Sequence, residues 1–302
     1  MKYKPNFLIV GTAKSGTTSL VQYLKNHPKI FIPNIKELRY FSYDLLKDNG
    51  YKGPGDHTTK KIAIKTREAY LNCFDQSKKD VTAIGEASVE TSYYFEHTIP
   101  KIKKELGDPK IIILLRDPVK RAISAYSHLI REQRETLSFE EALDKENWRK
   151  ESGYEFIWSY VDSGLYYNQV KALKEAFTNL KVIVFEDFIN NPNCHMKEVL
   201  SFLEVPEVQH VNHEQFNISG KPKNKTINYL LNKPLRIKSL LKFLLGERFS
   251  LKLKNKAQKL NLNPIEVSDE LKQRLYKTFE EDISKVEILL NIDLNIWKKP
   301  YT

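Results

Sequence analysis

The segment FLIVGTAKSGTTSL (Phe7–Leu20) passes from an uninterrupted apolar run into a glycine-bracketed loop and out into helix-forming residues. A buried strand that delivers the chain to a helix N-terminus leaves backbone N–H groups converging on one point, which makes a nest for an anion. Gly16 permits close approach of the backbone, Ser15, Thr17 and Thr18 add hydroxyls, and Lys14 adds an ammonium. Gly11 and Gly16 have the spacing of the triphosphate loop G-x-x-x-x-G-K-[ST]. Thr17, however, stands where that loop needs its lysine, and the lysine is at 14. The stretch reads as a phosphate cradle, and what remains is which phosphate it serves.

A second strand bears on that question. KIIILL (Lys110–Leu115) is a continuous β-branched and leucine run, the pattern of a strand buried on both faces of a parallel sheet. Magnesium-dependent phosphoryl transfer calls for a carboxylate at the end of such a strand. KIIILL ends instead in Arg116, with Asp117 and Pro118 after it, and Ser124 lies about two turns along the helix that follows. A guanidinium and a hydroxyl there suit a second phosphate better than a metal.

Strands are expected over Lys4–Val10, Val81–Gly85, Lys110–Leu115 and Leu180–Phe185, with a short extended piece at Ile30–Pro33. Helices are expected over Thr17–Asn26, Arg67–Phe74, Thr98–Leu106, Val119–Arg134, within Asp162–Asn179, around Cys194–Leu203 and over Ser268–Leu290, the last capped by Ser268. Residues 43 to 60 read as loop. The alternation predicts an α/β fold, a P-loop-type central parallel sheet with helices on both faces. Ligands of such sheets sit at the carboxyl ends of the strands, where GTAKSGTT, GEAS, RDP and EDF all fall.

The chain of 302 residues carries a net charge of +11, which favours anionic ligands: nucleotides, acidic glycans, nucleic acid or a lipid surface. Its two cysteines, Cys73 and Cys194, are far apart and read as idle thiols. The seven histidines are scattered and read as surface or structural residues, His128 included. No ligand cluster predicts a metal. The N-terminal apolar run is too short for a signal peptide and no stretch approaches a membrane span, so a cytoplasmic location is the expectation. We expect one domain over residues 1–302 with a basic helical insertion at about 227–262. Within it, residues 233–259 read as an amphipathic stretch, either a solvated helical subdomain, the reading preferred, or a surface able to touch a membrane or an anionic polymer.

Four stretches, FLIVGTAKSGTTSL, IIILLRDPVKRAISAYSH, SGLYYNQVKAL and LKVIVFEDFINNP, together with ISGKPKNK and the C-terminal DELKQRLYKTFEEDISKVEILLNIDLNIW, resemble the sulfotransferases that use 3′-phosphoadenosine 5′-phosphosulfate (PAPS). The resemblance leaves out only about residues 43–80 and 227–262. It implies that Lys14 contacts the bridging oxygen of the phosphosulfate, that Ser15, Gly16, Thr17 and Thr18 cradle the 5′-phosphate, and that Arg116 and Ser124 grip the 3′-phosphate. It places Lys221 or Lys223, in SGKPKNK, on a loop that closes over the cofactor. The product would be adenosine 3′,5′-bisphosphate, and no metal is required.

KELRYF (Lys36–Phe41) resembles the K-E-x-H-F-F stretch of glycan sulfotransferases, which makes Glu37 the base that takes the acceptor proton, with Lys14 beside the leaving phosphate. Arg39 replaces the histidine of that stretch, and Ala87 replaces the lysine of the family's G-E-K-[ST], so one cation near the sulfonyl group is missing or comes from elsewhere. Glu86 is the second choice of base. The acceptor implied is a hydroxyl or amine, most naturally of a carbohydrate. Two rival readings stand beside this one: a P-loop kinase or NTPase, which needs a strand-end aspartate, and a nucleic-acid-binding module using the basic segment, which leaves the paired motifs unexplained.

Overall fold

The computed structural model describes residues 4–49, 51–75, 80–207, 221–224 and 261–301. The expected basic insertion as far as residue 260, its amphipathic stretch 233–259 and half of ISGKPKNK lie outside the described residues.

Five apolar segments build one parallel sheet in the order β2-β3-β1-β4-β5. They are β1 (Phe7–Gly11), β2 (Ile30–Phe31), β3 (Ala83–Ala87), β4 (Lys110–Leu115) and β5 (Leu180–Val184). Because side chains alternate along a strand, each central strand feeds two cores. Leu8, Val10, Ile111, Ile113 and Leu115 face one side, Phe7, Ile9, Ile112 and Leu114 the other. The register places Phe7 opposite both Gly85 and Lys110, and Gly85 is glycine for a steric reason. A Cβ there would lie 2.4 Å from the Phe7 ring.

Helices cover both faces. On one pack α1 (Thr17–Lys25), α10 (Phe185–Asn190) and α11 (Pro192–Phe202). On the other pack α5 (Phe95–Leu106), α6 (Pro118–Arg131), α9 (Tyr167–Ala176) and α12 (Asp269–Leu290). The expected helix to Arg134 stops at Arg131, where Gln133 takes a positive φ of 58° and the chain turns back. The stretch read as loop holds two short helices, α2 (Tyr43–Asn49) and α3 (His57–Ile62), and α4 (Arg67–Asn72) is capped by Thr66. The peripheral helices α7 (Phe139–Asp144) and α8 (Glu146–Glu151) follow α6, α7 opening on a Ser138/Glu141 capping box. Both cysteines are free thiols. No helix among the described residues is long and apolar enough to cross a membrane.

The C-terminal end of the chain locks the strand ends. Trp297, in α13 (Asn295–Lys298), donates its indole N–H to Glu186 at 2.8 Å, and Tyr301 donates its hydroxyl to the buried Asp117 at 2.8 Å.

Candidate active site

Between Gly11 and Thr17 the loop is pinned from below. Thr12 donates its backbone N–H to the Leu114 carbonyl at 2.7 Å, and its hydroxyl lies 2.6 Å from that of Ser15, itself fully buried. Ser15 therefore turns its side chain into the loop's own support and offers a ligand only its backbone. Lys14 and Gly16 both take left-handed conformations, at φ 71° and 86°. A Cβ on Gly16 would meet the Phe185 ring at 2.6 Å. Gly16 is the N-cap of α1 and no side chain caps that helix, so its first turn presents N–H groups outward. Thr17 and Thr18 stand on that turn and line the same cleft as Lys14.

Arg116 closes the cradle from β4. Its Nη1 donates to the Lys14 carbonyl at 2.9 Å, and its guanidinium lies 4.8 Å from the centre of the Phe185 ring. Its Nε is buried with no hydrogen-bond partner. An orphaned cationic donor beside an uncapped helix end is what an anionic group would satisfy, so the residues present fit a phosphate-bearing nucleotide. Asp117 is turned away from the cleft: it caps α6 by accepting from the Val119 and Lys120 N–H groups and meets Tyr301. It is thus not placed as a magnesium ligand would be, and among the described residues no group of three His, Cys, Asp or Glu side chains is arranged to hold a metal.

One stripe of α6 faces the cleft. Ser124, His128 and Arg131 recur at i, i+4 and i+7, the spacing of a single helical face. His128 is thus a cleft residue, against the expectation. Arg131 donates to its Nδ1 at 2.9 Å, which leaves the proton on Nε2, and burial together with Lys14 and Arg131 holds its pKa well below the ordinary value. The same crowding acts on Lys14, whose pKa is lowered to about 7 by burial, then by Arg131, Arg116 and Lys36 against the opposing pull of Glu132.

Across the cleft sits KELRYF, docked on the end of β3. Glu37, at φ 59°, donates its N–H to the Ala87 carbonyl at 3.1 Å, and its Oε2 accepts from the Val89 N–H at 2.9 Å. Its other oxygen is 3.5 Å from Lys36 Nζ, which also donates to the Thr18 hydroxyl at 2.6 Å. Glu86 is elsewhere. It is buried beside Tyr70 and Ser88 and does not line the cleft. Burial, then Glu90 and Glu37, push its pKa up to about 8. Arg39, also at positive φ, reaches Glu155 at 3.1 Å and Glu90 at 4.0 Å. Burial opposes its charge, yet Glu90, Glu155 and Glu37 outweigh that and raise its pKa.

Arg134 extends this network to Asp56 and Glu155, and Asp56 also accepts from the Gly53 and Glu155 N–H groups and from the Trp158 indole. The whole forms one cleft of about 460 Å³, lined by Lys14, Gly16, Thr17, Thr18, Arg116 and Ser124 at one end and by Glu37, Arg39, Thr58, Thr59, Arg134 and Glu155 at the other. Lys223 is exposed and is not among the residues lining it. Lys221 begins the short strand β6 (Lys221–Pro222), which pairs with β7 (Leu262–Asn263) and packs against α6. Lys36, Arg131, Arg134, Glu155 and Phe185 were not singled out from the sequence as site residues. Two of them carried a readable signal: Lys36 as the first residue of KELRYF, and Arg131 by its place on the Ser124 face.

The sequence profile of the sulfotransferase family matches residues 5–209. A crystal structure of a sulfotransferase from Alicyclobacillus acidocaldarius superposes with a TM-score of 0.76 at 33% identity, covering 98% of this chain and 99% of that one. The membrane-associated sulfotransferase kil1 of Dictyostelium discoideum is 38% identical over 126 residues, 40% of this chain and 22% of that protein. Heparan sulfate glucosamine 3-O-sulfotransferase 3B1 of Mus musculus is 25% identical over 221 residues, 72% of this chain and 50% of that protein. The chain thus spans from about a fifth to half the length of these two curated relatives.

Proposed function

The chain belongs to the sulfotransferase family, and on that premise we propose that it moves a sulfonyl group from PAPS to a hydroxyl of a carbohydrate acceptor. The observation that carries the proposal is the single cleft that holds Lys14, Arg116 and Ser124 at one end and the Glu37 carboxylate at the other. In this reading the N–H groups opening α1, with Thr17 and Thr18, take the 5′-phosphate, while Arg116 and Ser124 take the 3′-phosphate. The orphaned Arg116 Nε gains a partner when an anion enters.

The acceptor oxygen forms a bond to sulfur as the bond from sulfur to the bridging phosphate oxygen breaks, its electron pair departing with adenosine 3′,5′-bisphosphate. Glu37 takes the hydroxyl proton. Lys14 and the loop N–H groups meet the charge that grows on the leaving oxygen. The Val89 N–H fixes one carboxylate oxygen of Glu37. A sugar acceptor is supported by the matches to heparan sulfate 3-O-sulfotransferase 3B1 and to human carbohydrate sulfotransferase 15, and by the polar and cationic walls that Arg39, Thr58, Thr59 and Arg134 give the acceptor end.

Thermal stabilisation by adenosine 3′,5′-bisphosphate, set against ATP with magnesium, tests the donor. We expect selective stabilisation by the bisphosphate, lost in Lys14→Ala and Arg116→Ala by about tenfold or more in affinity. Selective stabilisation by ATP with magnesium would sink the reading in favour of an NTPase.

A further inference from the structure

The space between the phosphate cradle and Glu37 is where the transferred group must lie, because in-line displacement keeps sulfur between the leaving and the attacking oxygens. One ammonium reaches both walls of that space. Lys36 Nζ donates to the Thr18 hydroxyl at 2.6 Å on the donor side and stands 3.5 Å from Glu37 Oε1 on the acceptor side. We infer that Lys36 is a further catalytic residue, its ammonium set against the sulfonyl oxygens during transfer. The inference rests on the sulfonyl-transfer reading above.

Elimination supports it. Arg116 is tied to the Lys14 carbonyl, Arg39 to Glu155, Arg134 to Asp56, and Arg131 to His128. β3 offers no cation here, for the residue at its end is the buried Ala87. Lys36 keeps its chemistry available. An ammonium has three donors, and the Thr18 hydroxyl takes one. Its side chain is 37% exposed, so it is solvated before a ligand arrives and can turn toward one. In the step itself the acceptor proton passes to Glu37 and the electron pair of the broken bond passes to the bisphosphate. Lys36 neither gives nor takes a proton in this step, and its ammonium opposes the charge spread over the sulfonyl oxygens.

PAPS and adenosine 3′,5′-bisphosphate differ only by the sulfonyl group, so comparing them isolates a contact to that group without any acceptor. Calorimetry with both nucleotides on the wild type, Lys36→Met and Lys36→Arg is the test. Lys36→Met keeps the aliphatic stem, and we expect it to weaken PAPS about fivefold to tenfold while the bisphosphate changes less than twofold. Lys36→Arg should recover most of the PAPS affinity. Parallel weakening of both nucleotides would overturn the inference, because Lys36 would then serve only to hold Thr18 and its loop. Unchanged affinity for both would overturn it as well. A wild type that binds neither nucleotide is a different failure, that of the sulfonyl-transfer reading itself.

Discussion

The two ends of the cleft are built in opposite ways. The end where we place the donor comes from two contiguous motifs at the ends of neighbouring strands, and much of it is main chain: an uncapped helix N-terminus, two left-handed residues and a carbonyl braced by Arg116. The acceptor end collects side chains from five separate places, near residues 37, 58, 89, 134 and 155. Buried charge holds it, with Arg39 and Arg134 set among Asp56, Glu90 and Glu155. A phosphate is the same in every donor, so a backbone cradle suffices for it. An acceptor varies, and side chains on separate segments can change one at a time.

This division makes predictions that pull the two ends apart. The largest effect belongs to Glu37→Gln, which should cut kcat for a glycan acceptor by about 10²–10⁴ while bisphosphate affinity by calorimetry stays within twofold. A loss of nucleotide affinity would place Glu37 at the donor end and blur the contrast. Arg39→Ala comes next. It strands Glu90 as a buried acid without its cation and leaves Glu155 with Arg134 alone, and urea unfolding should register a loss of about 3–5 kcal/mol. The remaining folded protein should bind the bisphosphate as the wild type does, since Arg39 touches no residue of the phosphate loop. If its nucleotide binding fails in step with its stability, the ends are one cooperative unit.

The smallest effect is a pH dependence at the donor end. With its pKa lowered to about 7, Lys14 is cationic below that pH and loses its charge above it. The charged form is the one that favours an anion, so bisphosphate affinity should decline as pH rises from 7 to 9, by no more than about tenfold per unit. Lys14→Met should flatten that slope. An equally steep slope in the variant would assign the titration to another group.

How much could be read from the sequence follows the same line. The phosphate loop, KIIILL and Arg116–Ser124 were legible because strand, turn and helix there are local events, set by periodicity and by residues a few positions apart. The parallel sheet followed from their alternation. Glu37 was singled out as a candidate through a resemblance, and the residues alone would have passed as a surface ion pair. Glu86 was the second choice, but strand alternation turns its side chain into the core beside Tyr70. Arg134, Asp56 and Glu155 could not be read at all: no spacing rule links residues whose contacts span 78 and 99 positions. His128 was noticed for its place one turn after Ser124 but read as surface or structural, because a lone histidine is a weak signal; it lines the cleft.

The contacts from Trp297 and Tyr301 to the ends of β5 and β4 also set an order of manufacture. Asp117, the residue that follows Arg116, is fully buried, and the hydroxyl that reaches it belongs to a tyrosine 184 positions later. A chain emerging from the ribosome therefore carries both proposed phosphate-binding segments long before it has the groups that brace them. Until α13 arrives, Glu186 lacks its indole partner and Asp117 its phenol. An unfinished polypeptide thus holds the two proposed phosphate-binding segments without these late hydrogen bonds.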